Sequence, residues 1–108
     1  MVMIRAVIRR EKADSVLSAL LHAGFPAATR IDVYGRGKQR GIRAGEVIYD
    51  ELPKELLIVV VEDKECDAVV DTILENARTS ERGAFGDGKI FVSSVEQVWT
   101  VRTGKPGL

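Results

Sequence analysis

Residues 2–9 alternate loosely between apolar and polar positions and are rich in valine and isoleucine, which predicts a strand. Ala13, Val16, Leu17, Leu20 and Leu21 then recur at helical spacing, predicting a helix over residues 12–23 that stops at Gly24. Pro26 keeps the following turn out of helix. From Thr29 to Tyr34 the pattern alternates again, with Ile31 and Val33 on one side and Arg30 and Asp32 on the other; this predicts a second strand ending at Gly35. Residues 36–51 are polar and contain glycine, with weak strand character only around Val47-Ile48-Tyr49, and read as a long excursion closed by Leu52-Pro53-Lys54. Leu56 to Val61 is almost wholly apolar, as expected of a central strand covered on both faces. Asp63 is placed to cap a second helix whose inner stripe is Val69, Val70, Ile73, Leu74 and Ala77. Residues 79–88 form a second loop, Lys89 to Val92 a fourth strand, and Val98 to Arg102 a short fifth.

The order β-α-β, loop, β-α-β is the split βαβ pattern of ferredoxin-like folds. It predicts an α+β sandwich in one domain over residues 1–108, with an antiparallel sheet and both helices on one face. Ile58 and Val60 point away from Val59 and Val61, yet all four are apolar. One sheet face packs on the helices, and the other calls for a homo-oligomer or a close hetero-oligomer.

Sixteen basic and sixteen acidic residues cancel, so bulk charge gives no support for a nucleic-acid or membrane partner. Cations do cluster locally at Arg36, Lys38, Arg40 and Arg43, with Asp32 and Glu46 the nearest acids. Cys66 is the only cysteine; it excludes an internal disulfide and a multi-cysteine metal site, and fits a cytoplasmic location. The N-terminus has no long apolar core or cleavage pattern, so no signal peptide is expected. The longest apolar run, Leu56–Val61, is far too short to span a bilayer.

Chemistry concentrates in two glycine-rich runs. In Gly86-Asp87-Gly88-Lys89 the chain turns sharply, backbone amides can approach an anion, and a cation follows before an apolar strand begins. Gly35-Arg36-Gly37-Lys38-Gln39-Arg40-Gly41 repeats the recipe after another strand. Two such loops suggest a site for a polyphosphate such as ATP. Catalysis has weaker candidates. His22 sits at a helix end, Asp50 and Glu51 lie in a polar loop, and no nucleophile has an obvious base. These residues give little support to an enzymatic reading.

These residues resemble a known family. Thr79 through Val92, ending in Gly86-Asp87-Gly88-Lys89-Ile90-Phe91-Val92, is similar to the C-terminal signature of the PII (GlnB-like) nitrogen-signalling proteins. Gly35 to Gly41 resembles the start of that family's T-loop, Leu52-Pro53-Lys54 its end, and Arg102-Thr103-Gly104 its tail. On this resemblance the T-loop spans about 36–51 and the tail about 97–108. Ile31-Asp32-Val33, Gly35 to Gln39 and Tyr49 to Lys54 point to the nitrogenase-regulating NifI branch and its first paralogue. The T-loop is shorter than in the usual PII proteins, and Val47 falls where those carry the uridylylated tyrosine, so that switch is expected to be absent. The second loop is longer, within Ser80 to Phe85, and Thr100 replaces an arginine of many relatives.

The resemblance implies a trimer of ferredoxin-like subunits with ATP or ADP in each cleft. Its nucleotide contacts would be Thr29, Gly35, Gly37, Lys38, Ile58, Val59, Val60, Gly86, Asp87, Gly88, Lys89 and Arg102. Gln39, Arg40, Gly41 and Lys54 would bind 2-oxoglutarate. Gln39 would also ligate the Mg²⁺ joining the two ligands, since an amide carbonyl is a hard oxygen donor. Ligand binding would reshape the T-loop, which then engages or releases nitrogenase, acting as a homotrimer or with a paralogous PII protein. An ammonium transporter or glutamine synthetase is the alternative target. A structural or metal-binding ferredoxin-like trimer, or a small enzyme acting on a phosphorylated substrate, is the alternative of another class. In the enzyme reading Asp87 is the only close acid.

Overall fold

The computed structural model describes residues 1–37, 42–44, 47–49 and 51–108. Its main sheet contains β1 (Val2–Arg9), β2 (Thr29–Gly35), β5 (Leu52–Val61) and β6 (Gly88–Ser94) in the order β2-β5-β1-β6, with every neighbouring pair antiparallel. Helices α1 (Ala13–His22) and α2 (Cys66–Ala77) cover one face, each entered through a single 3₁₀ turn. This is the expected ferredoxin-like sandwich. Its core is Ile4, Ala6 and Ile8 of β1 and Leu57, Val59 and Val61 of β5, packed under Val16, Leu20, Val69 and Ile73.

Strand alternation decides what remains on the other face. Cross-strand register lines up Ile31, Leu56, Val7 and Lys89 in one row and Thr29, Ile58, Arg5 and Phe91 in the next. Apolar side chains predominate on this face, and among the described residues no helix packs over it.

The termini of α1 follow from sequence. Gly24 takes φ 95°, and the amides of Gly24 and Phe25 bond back to the carbonyls of Leu21 and Leu20 at 3.1 and 2.8 Å. At the 3₁₀ turn that leads into α2 the cap lies one residue upstream of the predicted Asp63. Glu62 and Glu65 form a reciprocal capping box, and Asp63 instead pairs with the N-terminal amine at 2.9 Å. The inner stripes are narrower than predicted. Leu21 is 58% exposed and Leu74 44%, because a helix lying on a sheet turns only about one residue in three fully inward.

Three boundaries differ from the sequence pattern. β5 starts at Leu52 and not at Leu56, because Leu52 to Glu55 already pair with β2, and Lys54 and Glu55 with β1. Within the excursion, β3 (Ile42–Ala44) pairs with β4 (Val47–Tyr49), adding an outgoing strand that a polar sequence concealed. The predicted fifth strand shrinks to β7 (Trp99–Thr100), which pairs with β8 (Lys105–Pro106) in a small tail sheet separate from the main one.

Candidate functional site

Three chain segments meet at one end of the open sheet face: Gly35–Gly37 leaving β2, Leu52–Lys54 entering β5, and Ala84–Lys89 leading into β6. Between them is a cavity of about 440 Å³, floored by Val7 and Phe91 of the sheet. Gly35–Gly37, the described part of the first glycine-rich run, and the Gly86–Lys89 run, remote in sequence, therefore face one space. Four of the predicted backbone contacts, Gly35, Gly37, Gly86 and Gly88, line it, as do Asp87, Lys89 and Lys54. Arg36 lines it too. Lys38, Gln39, Arg40 and Gly41 lie outside the described residues, and with them the proposed metal ligand. Among the described residues no group of three or more His, Cys, Asp or Glu side chains could hold a metal ion.

Gly88 is sterically obligatory. Its φ is 120°, and a Cβ built there would sit 1.8 Å from the Val7 carbonyl oxygen. The turn thus lies directly on β1, which carries its amides to the rim of the cavity. Gly86, at φ 92°, supplies the other left-handed position of the turn.

Asp87 holds this loop together. Its carboxylate accepts Arg9 Nε at 2.9 Å, the Ala84 amide at 2.8 Å, the Thr79 amide at 3.1 Å, and the Thr79 hydroxyl. Arg9 also donates to the Phe85 carbonyl at 2.7 Å. Partial burial pushes the carboxyl up, but the hydrogen bonds from Thr79, Arg9 and the two amides outweigh it and hold Asp87 far below the usual carboxylate range. A carboxylate so committed is a poor proton acceptor, so Asp87 is a weak candidate for a general base. Asp87 is an internal latch whose own carboxylate would repel a phosphate.

Lys54 is only 8% exposed, unlike the solvated loop lysine its neighbour Pro53 suggests. Its Nζ donates to the Gly86 carbonyl across the cavity. Burial and the nearby Arg9 guanidinium push its pKa down, while Glu11 and Asp87 pull it back up. A half-desolvated ammonium gains more from an arriving anion than a solvated one, since the new charge offsets its burial. Lys89 and Arg36, in contrast, are exposed and make no ion pair among the described residues.

The remaining expected contacts are dispersed. Thr29, Ile58 and Val60 occupy the same open face but do not line the cavity. Val59 faces the other way, 2% exposed beneath the helices, because strand alternation allows only one of two adjacent side chains on each face. The Val59 side chain is therefore excluded from any site on the open face. Arg102 is exposed in the tail, away from the cavity lining. Arg9, which the sequence reading passed over, was signalled by its spacing: Arg5, Val7 and Arg9 alternate with the buried Ile4, Ala6 and Ile8, and Arg9 stands opposite Lys54.

Residues 1–105 match the family described as nitrogen regulatory protein P-II. A protein of Methanothermobacter marburgensis named nitrogen fixation nifHD region GlnB-like protein 1 is 55% identical, aligned over the whole of both chains. The Methanosarcina barkeri protein named nitrogen fixation nifHD1 region GlnB-like protein 1 is 49% identical, again over the full length of both. Among solved structures, Arabidopsis thaliana PII bound to citrate superposes with a TM-score of 0.79 at 36% identity, covering 98% of this chain and 84% of that one. The chain belongs to the PII family of nitrogen regulatory proteins.

Proposed function

We propose that this chain is a PII-type sensor that binds ATP or ADP together with 2-oxoglutarate and controls nitrogenase by protein contact through its T-loop. The observation that carries the reading is the cavity at the root of the excursion. There Lys54, Arg36, Lys89 and the glycine amides converge on a space of about 440 Å³, large enough for a polyanion. Lys89 and the amides of the Gly86–Gly88 turn take the phosphates, and Arg102 reaches them from the tail of a neighbouring copy. Lys54 takes the distal carboxylate of 2-oxoglutarate, exchanging its bond to the Gly86 carbonyl for an ion pair. Citrate bound to a PII relative supports a polycarboxylate as ligand. Mg²⁺, when bound, links the two ligands, with Gln39 as its protein donor.

Nitrogenase is preferred over an ammonium transporter or glutamine synthetase because the relatives cited above carry names from nitrogen-fixation regions. The T-loop converts occupancy into target contact only if its two states differ in ligand affinity. Isothermal titration with ATP, Mg²⁺ and 2-oxoglutarate, singly and together, tests the sensor. Synergy between nucleotide and keto acid is expected, and independent binding or none would overturn the reading. Co-purification with nitrogenase components tests the target.

A further inference from the structure

Lys54 has a neighbour whose environment is as unusual as its own. Glu55 is 1% exposed and points to the helix side of β5, back to back with Lys54. Its Oε1 accepts Arg30 Nη2 at 3.2 Å and faces Arg10 Nε at 3.5 Å. Glu55 Oε2 and Arg10 Nε have no hydrogen-bond partner among the described residues. A buried carboxylate held by guanidinium groups at these distances contributes little net stability, since desolvation offsets the attraction. Its geometry indicates another role.

Arg10 reaches both roots of the excursion. Its Nη2 donates to the Lys54 carbonyl at 3.5 Å, and its guanidinium lies 5.6 Å from the ring centroid of Tyr34. Tyr34 immediately precedes Gly35, where the excursion leaves β2, while Lys54 lies where it returns through β5. Arg30 of β2 completes the tie through Glu55 and is itself anchored to Asp14 of α1 at 2.7 Å. The outgoing stem, the returning stem and the start of α1 are thus joined by one charged hub behind the cavity.

We infer that Arg10 and Glu55 are positioning residues for the anion site: they fix the backbone of Lys54, and through it the direction of its ammonium, without touching the ligand. The assignment rests on Lys54 receiving a carboxylate as proposed above. It makes the fit of the dicarboxylate depend on a network on the opposite face of the sheet. An apolar residue at position 55 would fill the same volume but leave Arg10 free to swing away from the Lys54 carbonyl.

The test is a double-mutant cycle on the full-length assembled protein, read by calorimetry with 2-oxoglutarate in saturating MgATP. Glu55→Gln keeps the shape and removes the charge. It is expected to weaken 2-oxoglutarate about tenfold, leave ATP alone within about twofold, and add nothing further in a Lys54→Met background. Arg10→Met attacks the hub from its other side, leaves Glu55 paired with Arg30, and is expected to show the same pattern. A merely structural hub would lower the unfolding temperature and leave the 2-oxoglutarate affinity at its wild-type value. That result, or losses that add to those of Lys54→Met, overturns the assignment. A wild-type protein that binds no 2-oxoglutarate sinks the reading of the cavity and this assignment with it, whereas wild-type binding untouched by Glu55→Gln sinks the assignment alone.

Discussion

Substituting Gly88 with alanine would drive a methyl group to 1.8 Å from a backbone oxygen that sits in the middle of β1 and cannot retreat. The positive φ of 120° adds strain that no rotamer relieves. Gly88→Ala is expected to destabilise the fold by about 3 kcal/mol or more, measured by urea unfolding. Asp87 shows how charge at one residue sets the shape of a loop. Asp87→Asn keeps the volume but weakens the bonds to Arg9, Ala84 and Thr79, at a cost of about 2 kcal/mol. The pH dependence has a definite sign. Because folding depresses the Asp87 pKa, its stabilisation is complete above the unfolded carboxylate value and is lost only as pH falls through the lower folded value. The stability gap between wild type and Asp87→Asn should therefore persist from neutrality down to about pH 4 and close in stronger acid. Closure already above that range would show that the carboxylate is not held in the latch.

At the scale of elements, much could be read from the pattern of side chains. The alternation of Ile4, Ala6 and Ile8 and the stripe of Val16 and Leu20 fixed strand, helix and buried face together, because burial selects one period. The convergence of Gly35–Gly37 with Gly86–Lys89 was legible as two matching recipes, though only the strand order shows that they share a space. What escaped the pattern was polar structure stabilised by pairing. Leu52 to Glu55 looks like loop because Lys54 and Glu55 are charged, yet both strands beside them supply ladder bonds and both side chains find partners. The cap of the turn leading into α2 was missed for a related reason. Glu62 is an uncommon cap, but Glu65 three residues on reciprocates. Glu62→Ala is expected to cost about 1 kcal/mol of stability and to leave ligand affinity unchanged. Asp63→Ala, at an exposed ion pair with the N-terminal amine, should be nearly silent in the same denaturation experiment.

For the whole molecule, the decisive feature is the sheet face opposite the helices. Met3, Val7, Ile31, Leu56, Ile58 and Val60 share this face across three strands, and among the described residues no layer packs above them, the kind of apolar surface that marks an interaction site. The cavity opens at the edge of this same face, and Thr29, Ile58, Val60 and Arg102 fall outside its lining. Both facts are explained if assembled copies cover the face and the crevice between them completes the site. Trimerisation and ligand binding would then be one property and not two. Met3→Lys separates the possibilities, because Met3 is on the open face, outside the cavity lining, opposite Val60, clear of the helix core and not among the expected nucleotide contacts. A lysine there can extend into solvent in an isolated chain but would have to be buried in an assembled one. The expected outcome is a folded protein with native circular dichroism that sediments as a monomer and binds ATP at least about tenfold more weakly, since each cleft has lost its second wall. A monomer with full ATP affinity would place the whole nucleotide site within one chain, and an unchanged oligomer would mean that some other surface holds the copies together.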